Sequence, residues 1–395
     1  MPRSVIMSRH FTFVSMPASG HVNPTLPLVA ELVRRGHRVS YATGATHLDA
    51  VAAAGAEPVE VPFVLPEAPP PGKSFSDEEM VPRVDAFAVS VEQVFPVLAD
   101  RVTTDRPDVL CGDAMSPVDG LVAQQARIPH AVMHPSFASN EHFSLARDVL
   151  GAGDDGPPPA FRRVTERIAG FARERGLEPL PFGTPGDLNL VFLPREFQVA
   201  GDTFDDSFVF LGPALGPRSA DVWDGPGPVL LVSLGTTFND RPEFFRTCAE
   251  AFAGSGWQVV MAVGSRIDPA DLGPLPPNVV AQAHVPQIGV LRRARAFVTH
   301  NGMNSTMEAL LLGVPQIGIP QMPEQAANAA RVAELGCGRS LDPDTLDAAT
   351  LRATADEVAT DPDVRAAAEA FGARMRAVDG PALGADALEA FAARA

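Results

Sequence analysis

The sequence predicts a doubly wound, parallel-sheet α/β protein built from two domains. Three observations carry this expectation. Short apolar runs alternate with helix-patterned segments at βαβ spacing, which implies parallel strands joined by crossover helices. The alternation stops at a Gly- and Pro-rich stretch, Gly212–Pro228, and then restarts. The length of 395 residues suits two cores of about 150–200 residues each. The expected division is a first domain over 1–212, a linker over 213–228, a second domain over 229–378 and a tail over 379–395.

In the first half, Phe11–Met16 reads as a strand and Pro17–Gly20 as a turn. His21 opens a helix that runs to Arg35, with Pro24 suited to its first turn, and Gly36 ends it. Arg38–Ala42 is the next strand, followed by a helix over Thr46–Ala54 and a Pro-rich loop over Pro58–Lys73. Helical patterns cover Glu78–Asp100. Val109–Gly112 is a buried-type strand ending at Asp113, Pro117–Ala126 a helix, and Ala131–His134 a strand. Pro135–Gly183 is irregular or helical, the kind of long connection that lines or caps a pocket. Leu188–Leu193 and Phe208–Leu211 are short strands.

The second half repeats the pattern. Val229–Ser233 is a strand, Gly235-Thr236-Thr237 a turn and Pro242–Ala253 a helix. Gln258–Val263 and Val279–Gln282 are strands, and Gln287–Arg293 is helical. The strand at Ala296–Val298 breaks at His300-Asn301-Gly302 before a helix over Ser305–Leu312. Gly313-Val314-Pro315 turns into a strand at Gln316–Ile319. Gln325–Leu335 is a helix, and the Ala-rich tail from Thr345 is helical throughout.

Composition narrows the function classes. The net charge of −17 argues against nucleic acid and against an anionic membrane surface, both of which require basic protein surface. An anionic substrate therefore needs a local positive site. No stretch approaches about 20 apolar residues, so no membrane span is expected. Cys111, Cys248 and Cys337 lie far apart without a CxxC, which fits a reducing compartment. The N-terminal apolar run reads as a strand rather than a signal peptide, so a cytoplasmic location is expected.

In open parallel sheets, ligands sit beyond the carboxyl ends of the strands. That rule selects His21 and Asp113 in the first domain, and Gly235-Thr236, His284 and His300 in the second. Two domains facing each other would put both sets in one cleft. His21 and Asp113 fit a dyad in which imidazole takes a proton from a hydroxyl and a carboxylate holds its tautomer. They equally fit a capping His and a strand-end Asp bonded to local backbone. A strand, a Gly turn and a helix N-terminus at 298–305 make an anion seat, because the first helical N–H groups lack internal partners. Ser305 and Glu308 also match a capping box, S-x-x-E, which competes with a phosphate and ribose role for the same side chains. GAGDDG at 151–156 is rejected as a dinucleotide loop, since three prolines follow it. Asp342-Pro-Asp344 and Asp361-Pro-Asp363 read as helix N-caps, not metal pairs, and no metal cluster is expected.

These residues carry a resemblance. HNGMNSTMEALLLGVP, with HVPQIGVL upstream and PQMPEQAANAARV downstream, resembles the donor signature of GT-B, family 1 type nucleotide-sugar glycosyltransferases. SGHVNPTLPLVAELVRRGHRVSYATG is similar to the first strand and helix of their bacterial macrolide-type members, and FVFLGP with VLLVSLGTTF resembles their interdomain junction. The resemblance implies two Rossmann-like domains and a hexosyltransferase using a UDP- or dTDP-sugar, with no metal or other cofactor. It implies His21 as the base on the acceptor hydroxyl and Asp113 as its orienter. His300, Gly302, Asn304 and Ser305 are then expected at the donor diphosphate, assisted by Thr236. Glu308 takes the ribose, His284, Val285 and Gln287 the base, and Glu324 and Gln325 the sugar. The final helix is expected to cross back onto the first domain.

Three positions depart from the pattern: His284 replaces a larger aromatic, Met303 stands where plant relatives carry Trp, and Asn301 replaces a small residue with no assignable role. The acceptor pocket is expected around Pro66–Ser76 and Ser136–Leu150, with Phe63, Phe75, Phe137 and Phe143 favouring an apolar aglycone such as a macrolide or polyketide. A single displacement predicts inversion. The competing expectations are a non-catalytic nucleotide-sugar-binding partner, or an epimerase or lipid glycosyltransferase on the same fold. The chain is expected as a monomer or homodimer.

Overall fold

The computed structural model describes residues 8–65, 77–149, 159–236 and 239–394. They fall into two compact units: unit 1 draws on Met1–Glu67, Phe75–Ala214 and Asp379–Ala395, and unit 2 on Leu215–Val378.

In unit 1 the elements run β1 (His10–Val14), α1 (Ser19–Arg34), β2 (Arg38–Thr43), α2 (Leu48–Ala53), β3 (Glu57–Glu60), α3 (Asp77–Asp105), β4 (Val109–Asp113), α4 (Val118–Ala126), β5 (His130–His134), α5 (Pro159–Arg173), β6 (Leu188–Val191) and β7 (Phe208–Phe210). Among the described residues they form a seven-stranded sheet in the order β3-β2-β1-β4-β5-β6-β7, parallel at every pairing. β1 and β4 are buried at every position, as a sheet covered on both faces requires. Side chains alternate between those faces. Phe11, Phe13 and Cys111 join a core with Val22, Leu28 and Val29 of α1. Val14 and Leu110 join another with Val118 and Leu121 of α4 and Val91 of α3.

Unit 2 runs β8 (Val229–Ser233), α6 (Pro242–Phe252), β9 (Gln258–Ala262), β10 (Val279–Gln282), α7 (Gln287–Leu291), β11 (Ala294–Thr299), α8 (Met303–Leu311), β12 (Gln316–Gly318), α9 (Pro323–Glu334), β13 (Gly338–Ser340), α10 (Ala348–Thr360) and α11 (Pro362–Arg376). Its parallel sheet has the order β10-β9-β8-β11-β12-β13. In each sheet the strand order reverses beside the first strand, between β1 and β4 and between β8 and β11. A crevice opens at such a switch point.

Helix α12 (Gly380–Arg394) belongs to unit 1 and packs on α1. Leu388 and Phe391 enter the α1-side core, and Gly380 lets the chain approach the Leu211 carbonyl closely. Arg35 bonds Asp386 at 2.5 Å, Glu389 at 3.0 Å and the Ala382 carbonyl at 3.1 Å.

Several expectations are corrected. Residues 57–60 begin no loop but form β3, a strand with exposed polar ends, and the short β13 was not expected. The linker expected over 213–228 holds a 3₁₀ turn at Gly216–Ala220, and from Leu215 onward it lies with unit 2. Arg292 fixes it by donating to the Asp221 and Ser219 carbonyls at 3.0 and 2.6 Å. Asp361 caps α11, but α10 is capped by Asp347, and Asp342 only closes a local turn onto the Asp344 N–H.

Candidate active site

In unit 1, β1 and β4 end side by side and bring two of the expected residues together. His21 sits in the first turn of α1, after β1, and Asp113 is the last residue of β4. Their side chains meet, His21 Nδ1 to Asp113 Oδ2, at 2.7 Å. Asp113 is buried and accepts three further hydrogen bonds. Oδ1 accepts from the Met115 N–H at 2.9 Å, and Oδ2 from the Ser15 hydroxyl at 3.2 Å and the Met16 N–H at 3.4 Å. Burial pushes this carboxyl up, but the His21 charge and hydrogen bond and the two backbone N–H groups outweigh it, so its pKa is lowered. An ionised Asp113 accepts from Nδ1–H, which leaves the lone pair of His21 on Nε2.

Unit 2 gathers its own set of expected residues at the ends of β8 and β11. His300 follows β11, and its ring lies over Gly235 and Gly302. A methyl group at either glycine would overlap the imidazole, so both close approaches depend on the missing Cβ. Gly235 also takes a φ of +76°, and exposed Thr236 follows it. Burial pushes the His300 pKa down to about 4, against a smaller opposing pull from the Ser233 backbone. The ring is therefore neutral at neutral pH.

Asn301 now has a structural account. It turns the chain at φ +55°, a left-handed conformation that Asn tolerates better than most residues. Fully buried, it donates to Gln316 Oε1 at 2.9 Å, while its own carbonyl accepts from Asn328 at 2.9 Å. This network holds the turn that delivers the chain into α8.

Helix α8 begins at Met303 with Gly302 as N-cap, and no side chain caps it. The capping-box alternative is thereby corrected. Ser305 lies inside the first turn, and Glu308 points elsewhere. Glu308 accepts from Gln287 Nε2 at 2.7 Å and pairs with Arg218. Gln287 Nε2 also reaches Ser305 Oγ at 3.3 Å. The structure thus gathers Gln287, Ser305 and Glu308, and adds Arg218, which sequence reading passed over inside the Gly- and Pro-rich stretch. Asn304 stands beside Ser305 in the first turn of α8. His284 is exposed and Val285 half-buried, both just before α7.

The remaining expected residues divide. Glu324 and Gln325 lie in the first turn of α9. Gln325 is buried, and its carbonyl oxygen is committed to the Gln321 N–H at 2.8 Å, so it braces the preceding turn. Phe63 is packed in the core of unit 1. Phe137 is buried edge-on to Phe143 and stacked on Phe197, each with centroids 5.8 Å apart. Phe63, Phe137 and Phe143 are thus all buried, with ring faces and edges engaged in packing. Phe75 lies outside the described residues. Among the described residues no three His, Cys, Asp or Glu side chains gather as a metal site, and no helix is long and apolar enough to cross a membrane. The three cysteines are buried thiols.

Comparison with known proteins converges on one group. Residues 254–391 match the family model described as the erythromycin biosynthesis protein CIII-like C-terminal domain. The NDP-glycosyltransferase YjiC of Bacillus licheniformis is 37% identical, with 98% of each chain covered. The demethyllactenocin mycarosyltransferase of Streptomyces fradiae is 36% identical over 96% of this chain and 86% of that one. Among solved structures, CalG4, the calicheamicin glycosyltransferase, superposes with a TM-score of 0.85 at 36% identity, covering 98% of this chain and 99% of that one.

Proposed function

The chain belongs to the GT-B, family 1 type nucleotide-sugar glycosyltransferases of the macrolide kind, and from that premise we propose an inverting, His-dependent reaction. In it, the sugar of a UDP- or dTDP-sugar passes to a hydroxyl of a small apolar aglycone. The observation that carries this reading is the 2.7 Å contact between His21 and a buried Asp113 held ionised by its neighbours.

The roles follow from the chemistry. His21 Nε2 takes the acceptor proton as the oxygen attacks the anomeric carbon. Asp113 keeps Nδ1 protonated and stabilises the imidazolium that forms. The leaving diphosphate is met by the uncapped N–H groups of α8, by Ser305 and Asn304, and by Thr236 on the neighbouring loop. His300 lies at the same place, and an arriving dianion favours its protonated form. Glu308 takes the ribose, with Gln287 beside it. One displacement at the anomeric carbon inverts its configuration. A macrolide or polyketide acceptor is in keeping with the relatives named for such substrates.

The test is a screen of UDP- and dTDP-sugars against a panel of macrolide and phenolic acceptors, read by mass spectrometry, with the product anomer assigned by NMR. A product of inverted configuration is expected. Retained configuration, or donor binding with no nucleoside diphosphate released across the panel, would overturn the reaction proposed.

A further inference from the structure

Asp113 meets a second side-chain donor besides His21, and it comes from the neighbouring strand. Ser15 follows β1, is 1% exposed, and donates its hydroxyl to Asp113 Oδ2 at 3.2 Å. That oxygen is the one His21 Nδ1 reaches at 2.7 Å, so the two donors share it. Behind Ser15 stands a chain of buried hydroxyls. Thr25, one turn beyond His21 on α1, donates to the Val22 carbonyl at 2.8 Å. A hydroxyl has one proton, so the 2.8 Å contact between Thr25 Oγ1 and the Tyr41 hydroxyl must be a bond that Tyr41 donates. The Tyr41 oxygen is left as an acceptor, and the Ser15 hydroxyl bears on it. Ser15 also has one proton, for which Asp113, Tyr41 and, at 3.4 Å, the Met16 carbonyl compete.

Other titratable groups face this carboxylate from three elements. On β2 and β5, burial pushes the Tyr41 pKa up and the His134 pKa down to about 4, so neither is charged near neutral pH. Asp119 on α4 interacts with Asp113 by charge through the sheet. An opposite charge favours a protonated imidazole, and a donor that the carboxylate accepts stabilises its negative charge. The Ser15 bond therefore weakens the pull of Asp113 on a protonated His21. Resting on the reading of His21 as the base, we propose that Ser15 is a positioning residue, acting through Asp113, that sets the pH at which His21 accepts a proton. Tyr41 governs how far the Ser15 proton is committed to Asp113.

The experiment is an NMR pH titration of the full chain carrying isotope-labelled histidine. The chain has nine histidines, and the ring signal missing in His21→Ala is that of His21. Ser15→Ala is expected to raise the midpoint of that signal by about half a pH unit or more. Tyr41→Phe removes the competing acceptor and is expected to lower it. The same shift for Ser15→Ala is expected in an Asp119→Asn background, where Asp119 no longer titrates. The acid limb of the rate profile, taken with a donor and acceptor from the screen above, should move with the midpoint in each variant. A merely structural role for Ser15 would lower the rate at every pH and leave the midpoint in place. That result would overturn the inference while leaving His21 as the base, and so would a midpoint that rises in both variants. A midpoint that moves without the acid limb would overturn the reading of His21 as the base and the inference with it. Thermal melts check folding, and Tyr41→Phe, which keeps its ring, carries the test alone should Ser15→Ala not fold.

Discussion

Unit 1 contains two His–Asp pairs that look interchangeable. His21–Asp113 and His130–Asp119 are each closed at 2.7 Å, and in each the His is 21% and the Asp 2% exposed. They lie on opposite faces of the same strand. Asp113 points to the α1 side, and the residue before it, Gly112, leaves the opposite face open for the Asp119 carboxylate. What differs is the rest of each carboxylate's surroundings. Asp113 has backbone N–H donors from two segments, and its pKa is lowered. Asp119 Oδ1 has no hydrogen-bond partner, and burial raises its pKa despite the opposing pull of His130. A close His–Asp contact alone does not make a general base. The supporting donors favour the ionised form of Asp113, the form that would stabilise an imidazolium in the proposed reaction, while the other pair pins α4 to the start of β5.

Four substitutions press on that difference. His21→Ala is expected to lower turnover about 10²–10⁴-fold with donor affinity retained, measured by nucleoside diphosphate release and by calorimetry. Asp113→Asn keeps the shape but loses the charge that fixes the tautomer. A loss of about 10–10³-fold is expected in the same assay, together with about 1–3 kcal/mol of stability in denaturant melts. Gly112→Ala would drive a methyl into the Asp119 carboxylate and the His130 ring, and should destabilise by about 1–3 kcal/mol through overpacking. Asp119→Asn should leave turnover within about twofold and change stability by under about 1 kcal/mol, since removing a poorly solvated charge offsets the altered hydrogen bond. A large activity loss at Asp119 would erase the distinction.

The pH dependence separates the pairs by sign. The lowered pKa of Asp113 contributes stability above the unfolded carboxyl value of about 3.9, and this is lost as pH falls through its folded pKa. Asp119, with its pKa raised, works in reverse: its contribution is present at low pH and declines as pH rises from about 3.9 through its folded pKa. Melts of the two Asn variants against pH should therefore deviate from the wild type in opposite directions.

The fold was legible because fully buried strands such as Val229–Ser233 leave unbroken apolar runs in the sequence. β3 escaped because Glu57-Pro58-Val59-Glu60 is a polar edge strand, whose stability comes from pairing with β2 rather than from its own pattern. The pairing of His21 with Asp113, 92 positions apart, could be anticipated from the switch-point rule, since both follow neighbouring strands. The second pair could not, because its only mark is the small residue Gly112 beneath it. The capping-box pattern misled because α8 starts at Met303, ahead of Ser305, and pattern alone fixes no helix boundary. Arg218 was invisible because a 3₁₀ turn among glycines and prolines has no periodicity to flag it.

Helix α12 has a consequence for biosynthesis. The core of unit 1 includes Ala385, Leu388, Phe391 and Ala392, which leave the ribosome after unit 2. The first 214 residues emerge well before that helix, with all of unit 2 translated in between. Domains usually fold in the order they are made. Here the order is inverted: unit 2 has its whole sequence available first, and unit 1 waits, with part of the α1 surface bare, for the helix that follows unit 2 in the chain.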